Sequence, residues 1–177
     1  MANEEIERVD VEEVVDLEEW AAAGRQVPRH CGGFRFRVNG ERHVVREPTV
    51  GFERIVELAG FEPGAEVCVR VRVRGKKPHV LAPREEVDLT SPGIERFQVS
   101  EHCVVEVKLN NTEFELAVPS TGAKVKAAAI AAGARIKPDF VLFLVLEDGQ
   151  TEQVGDDEVV YVDKGACFKA VDSDDNS

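Results

Sequence analysis

The chain has 177 residues, 43% of them hydrophobic and 32% charged, with a formal net charge of −12. That length holds one ordinary domain or two small ones, and the composition excludes a disordered chain. No apolar run approaches the roughly 20 residues that span a bilayer. The acidic start MANEEIERVD lacks the basic and then apolar order of a secretory signal, so the expectation is a cytoplasmic protein with no membrane partner.

The charge is uneven along the chain. Residues 1–33 hold 3 basic and 9 acidic side chains, residues 34–99 hold 12 and 10, and residues 100–177 hold 7 and 15. An acidic leader and an acidic last section repel nucleic acid at long range, so no nucleic-acid partner is expected. The four cysteines, Cys31, Cys68, Cys103 and Cys167, form no CxxC pair and read as reduced thiols, some packed in strands. His30, His43, His79 and His102 are scattered, with no carboxylate or nucleophile beside them in a recognisable motif. The reading is therefore a non-enzyme with no catalytic residues, metal or cofactor.

The acidic leader spans residues 1–33. Its segment VDVEEVVDLEE, Val9 to Glu19, alternates short apolar runs with carboxylates. One reading is a strand that adds to an arginine-lined sheet, with Val11, Val14, Val15, Leu17 and Trp20 as docking residues. The other is a flexible leader followed by a short helix near 17–23, capped by Asp16, with Trp20 packed on the domain that follows. Gly32-Gly33 reads as a hinge, because a phosphate loop needs a helix after it and here a strand follows.

From Phe34 the pattern is strand-like. Phe34, Phe36 and Val38 alternate with Arg35 and Arg37, and Asn39-Gly40 signals a hairpin into a strand through Val45. Thr49 is placed to cap a helix that lines up Phe52, Ile55, Val56 and Ala59 and stops at Gly60. EVCVRVRVRG alternates again, PHVLA is a shorter strand, REEVDLTSPG a turn and IERFQV a last strand. The order then returns. VVEVKLNN and TEFELAV are paired strands, and Ser120 caps a helix with Val125, Ala129 and Ala132 on one face. DFVLFLVLEDG is a strand and turn, and GACFKAV closes the unit. NGERHVVREPTVG (39–51) and NNTEFELAVPSTG (110–122) are registered by Asn39 with Asn110, Pro48 with Pro119 and Gly51 with Gly122.

A hairpin, a crossover helix and further strands in this length make a helix packed across a sheet. RVNGERHVVREPTVGFERIVELAG and EEVDLTSPGIERF resemble the bacterial multiubiquitin family, and DLEEWAAAGRQVP resembles the segment that precedes its domains. The resemblance implies an α+β fold of two tandem ubiquitin-like β-grasp domains, at 34–100 and 101–171, and the acidic residues 172–177 read as a disordered tail. It also implies a ubiquitin-like modifier or precursor that works beside an activating enzyme, a conjugating enzyme and a JAB-type metalloprotease. The alternative is a non-covalent adaptor that is never conjugated. Modifiers act through a C-terminal glycine pair, whereas this chain ends FKAVDSDDNS, so either the Ser177 carboxylate is used as it stands, or the acidic tail is trimmed, or the protein is never conjugated. Cutting at Gly165 would remove Cys167 and Phe168, which read as core.

Surfaces then carry the recognition. With Val67, Val69, Val71 and Val73 inward, Arg70, Arg72 and Arg74 join Arg35 and Arg37 on an open face suited to partner binding. In the second copy, placing Val141, Phe143 and Val145 inward leaves Leu142, Leu144 and Leu146 outward. They then either meet partners or are covered by the first copy. Self-association through the leader is a further expectation.

Overall fold

The computed structural model describes residues 13–176, with side chains through Asp174. Val11 and Ser177 lie outside the described residues. The fold is α+β, with short helices and many strands. It divides into two compact units: the first contains the residues through Ala65 together with Val69–Val99, the second Glu66–Cys68 together with the chain from Ser100 onward. Among the described residues no helix is long and apolar enough to cross a membrane.

In chain order the first elements are β1 (Val14–Asp16), α1 (Leu17–Ala22), β2 (Gly33–Val38), β3 (Glu41–Val45), β4 (Thr49–Gly51) and α2 (Phe52–Leu58). They are followed by β5 (Cys68–Val73), β6 (His79–Leu81), β7 (Glu86–Asp88) and β8 (Ile94–Ser100). Strands β3, β2, β8, β5 and β6 lie side by side in that order. β1 adds to β2 in parallel, and β4 pairs separately with β7. The alternating residues Phe34, Phe36 and Val38 are each 1% exposed, and Phe52, Ile55 and Val56 of α2 are likewise buried. Phe36 and Phe97 meet edge to face with ring centres 5.2 Å apart, an arrangement the ring quadrupoles favour.

The second unit holds β9 (Cys103–Leu109), β10 (Thr112–Val118), β11 (Ser120–Thr121), α3 (Gly122–Ala131), β12 (Val141–Val145), β13 (Thr151–Val154), β14 (Val159–Val160) and β15 (Cys167–Val171), then a 3₁₀ turn at Ser173–Asn176. Its sheet order is β10, β9, β15, β12, β13, with β11 paired to β14. Element for element this is the order of the first sheet.

The shared asparagine explains much of the sequence repeat. Asn39 and Asn110 both take positive φ, 51° and 52°, in the two-residue turns between paired strands. Each backbone N–H donates to the last strand of its unit, at Phe97 O (3.1 Å) and Phe168 O (3.0 Å). Each side-chain amide then makes two bonds one pleat further on. Asn39 donates to Val99 O at 3.0 Å and accepts from Val99 N at 2.8 Å. Asn110 donates to Ala170 O at 3.2 Å and accepts from Ala170 N at 3.1 Å. The clamp thus locks the first hairpin to the closing strand in both units.

Both helix starts differ from expectation. Thr49 lies in β4 and Ser120, buried, lies in β11; the N-caps are Gly51, with no side-chain bond, and Thr121, whose hydroxyl accepts from Lys124 N at 3.3 Å. A short paired strand runs up to each helix and shifts its start. At Gly122 the shared glycine has a steric reason, because a Cβ there would collide with the carbonyl of Gly155. Ala132 is exposed, while Lys126 is buried at 4%. The Lys126 ammonium donates to Pro138 O (2.6 Å) and Phe140 O (3.0 Å) and pairs with Asp156 Oδ1 (2.7 Å), which employs all three of its N–H donors.

The thiol reading is corrected at two of four positions. Cys68 and Cys103, both in the second unit, form a disulfide with Cα atoms 5.8 Å apart, inside the range such a bond spans; Cys31 and Cys167 are free. The two sulfurs meet across 35 residues of sequence, so no local spacing announces the pair. Phe168 is core at 2% exposure, whereas Cys167 is exposed.

Two stability predictions follow from this packing. Asn39→Gly keeps the turn conformation and loses both amide bonds to Val99, so urea unfolding of the first unit should shift by about 1–3 kcal/mol. Asn39→Ala should cost more, because alanine resists positive φ. His43 Nε2 is buried without a hydrogen-bond partner, and the register that sets His43 opposite Phe36 sets Phe114 opposite Val107 in the second sheet. His43→Phe should therefore raise the first unit's stability by about 1 kcal/mol in the same measurement.

Candidate interaction surfaces

Among the described residues no three His, Cys, Asp or Glu side chains gather as metal ligands. The candidate sites are sheet faces and one sheet edge.

Among the described residues the leader forms a strand and then a helix. Val14–Asp16 pairs in parallel with Gly33–Arg35, and Asp16 then caps α1 by accepting from Glu19 N at 3.2 Å. Val15 and Leu17 are each 1% exposed, so this segment contributes to the core of the first unit; Val14 is partly buried. Trp20 is partly buried, with the Arg25 guanidinium 3.9 Å over its ring.

Gly32-Gly33 is not a hinge. Gly32 N donates to Glu13 O at 2.9 Å, and Gly33 is a buried strand residue. A Cβ on Gly33 would lie 3.0 Å from Val44 Cγ1 and 3.2 Å from Val45 O. Glycine fits here because the hairpin residues Val44 and Val45 close tightly on the start of β2, a tertiary cause that no local pattern reveals.

The first sheet presents the expected arginines. Val67, Val69 and Val71 are buried and Val73 partly so, while Arg72 and Arg74 are exposed and Arg35, Arg37 and Arg70 are partly buried. Arg37 Nε lies 3.2 Å from Glu18 Oε2 of α1, and Arg72 Nε lies 3.2 Å from Glu95 Oε2. Arg42 and Arg96, which the sequence reading did not single out, stand on either side of Arg37 in register.

In the second sheet the assignment of faces is corrected. Leu142 is 1% exposed and pairs with Ala170 and Val154, both buried; Leu144 pairs with buried Phe168 on the same inner face. Leu146 lies past the end of β12 and is 38% exposed. The outer stripe is Val141, Phe143 and Val145, all partly buried, with Phe143 between Lys169 and Gln153. The signal that finds these three was in the repeat. Advancing Arg70, Arg72 and Arg74 by the interval from Asn39 to Asn110 lands on Val141, Phe143 and Val145. The same strand is thus basic outside in one unit and apolar outside in the other.

If the leader is structural, Leu17→Ala should lower the first unit's stability by about 2–4 kcal/mol, read as a lower denaturant midpoint. An unchanged midpoint would mean that the segment merely lies against the surface.

Residues 34–101 match a family model described as Multiubiquitin. A search of curated proteins found no match.

Proposed function

From a chain that carries a multiubiquitin-family domain over residues 34–101, we propose a tandem ubiquitin-like protein of a bacterial, cytoplasmic ubiquitin-like conjugation pathway. On this reading it consists of two β-grasp domains without catalytic activity of their own. Its partners are an activating-like enzyme, a conjugating-like enzyme and a JAB-type metalloprotease. The observation that carries the reading is the identical strand order and asparagine clamp in the second unit, outside the matched residues. A module repeated with its scaffold bonds intact and its outer chemistry changed suits a protein that is handled by others through its faces.

Two modes of action differ in covalency. As a modifier or modifier precursor, the chain is adenylated at its C-terminal carboxylate, with Ser177 as the candidate, and passed to a thiol. As an adaptor it holds enzymes or targets without a bond. The partly buried, outward apolar stripe Val141–Phe143–Val145 favours a recognition role for the second unit in either mode, since apolar sheet surface suits a protein partner.

Incubation of the full chain with the activating-like enzyme and ATP, followed by intact-mass analysis, tests the proposal. A modifier gives an adduct that disappears when residues 172–177 are deleted. An adaptor gives enzyme capture without an adduct, weakened at least tenfold by Phe143→Glu. Neither adduct nor capture would remove the chain from such a pathway.

A further inference from the structure

The outer face of the first sheet holds three arginines in one row. Arg42 on β3 and Arg96 on β8 are both register partners of Arg37 on β2. Side chains of paired residues leave a sheet on the same side, and Phe36, Val38 and Phe97 occupy the inner one. Neighbouring strands lie about 4.8 Å apart, so the row spans roughly 10 Å. Like charges set directly opposite one another destabilise a sheet. The fold does not demand them either, since the corresponding row of the second sheet is Glu113, Lys108 and Cys167.

Among the described residues only the middle arginine of the row has an anion. Glu18 of α1 pairs with Arg37, Glu95 is turned to Arg72, and Arg42 and Arg96 have no ion pair among the described residues. The face therefore already accepts one carboxylate, on the central cation, and leaves a cation on each side.

We propose that the Arg42–Arg37–Arg96 row is a binding site for an extended acidic peptide of a partner protein, with Glu18 as a built-in competitor on its central arginine. A polyproline-II-like extended chain has three residues per turn and rises about 3.1 Å per residue, so side chains three positions apart share one face and span roughly 9 Å. A peptide that crosses the strands with acidic residues at i and i+3 reaches Arg42 and Arg96 together. Guanidinium groups suit this task because each offers a planar fork of donors to a carboxylate.

The test uses the full chain and a fluorescein-labelled peptide, Gly-Glu-Val-Val-Glu-Gly, followed by anisotropy at low salt. Binding should be saturable, at least tenfold weaker for the Gln-Val-Val-Gln analogue, and lost in about 0.5 M sodium chloride. The Arg42→Gln/Arg96→Gln double variant should lose it, Lys169→Gln should not, and Glu18→Gln should tighten it several-fold. Thermal unfolding of each variant establishes that the fold persists. Equal binding of both peptides, or full binding by the double variant, would overturn the site. An unchanged affinity in Glu18→Gln would overturn the competitor role. Displacement of the peptide by inorganic phosphate at the concentration at which chloride acts supports simple ionic competition, as the proposal requires. Displacement at a tenfold lower concentration would mark a phosphate site instead and overturn it. Labelled peptide excluded by the chain's own self-association, seen as a rise in mass at low salt, would likewise assign the row to a second copy.

Discussion

Closure of the first hairpin onto the last strand is the constraint on which each unit depends. The two strands come from opposite ends of the unit, 60 residues apart at the clamped positions. A single asparagine bridges them because it serves two needs together. Its backbone accepts the positive φ that a two-residue turn imposes, and its amide both donates and accepts. Glycine satisfies only the first need and glutamine only the second. With that corner fixed, the inner residues of β2 and β8, or of β9 and β15, face one common interior, and the helix has a floor to cover.

The scaffold being held from within, the outer faces are free to diverge. The strand that carries Arg70, Arg72 and Arg74 in the first unit carries Val141, Phe143 and Val145 in the second, and the hairpin residues Arg35 and Arg42 become Glu106 and Glu113. The first unit has also acquired an extra parallel strand and a helix from the leader, which supply Val15 and Leu17 to its core. Glycine at position 33 leaves room for the hairpin residues Val44 and Val45; position 104, its counterpart, is a valine 55% exposed.

What the sequence made legible were features with a local cause. Strict alternation located β2, β5 and β9, and turn chemistry located Asn39 and Asn110. The apolar spacing of Phe52, Ile55 and Val56 located α2, and Asp16 was legible as a cap because the helix follows it directly. The features that escaped have non-local causes. Thr49 and Ser120 look like caps until one sees that distant strands pair with them. Leu142 and Phe143 are both apolar, so hydropathy alone is silent on which faces inward, and only comparison with Val71 and Arg72 decides it. Gly33 and the Cys68–Cys103 bond answer to chain segments remote in sequence. The arginine row escaped because its members lie on three strands, and register brings them together.

The buried ammonium of Lys126 has a chemical consequence of its own. An amine attacks an acylating reagent, or an activated carboxyl group, only as the free base with an accessible lone pair. Lys126 is kept from any reagent by near-complete burial, with two carbonyls and a carboxylate around its nitrogen, whereas Lys108, Lys124, Lys164 and Lys169 stand in solvent. Of these five amines, it is the one that stays unacylated while the second unit is folded and reacts once that unit opens, so its acylation records the history of the fold rather than the composition of the surface.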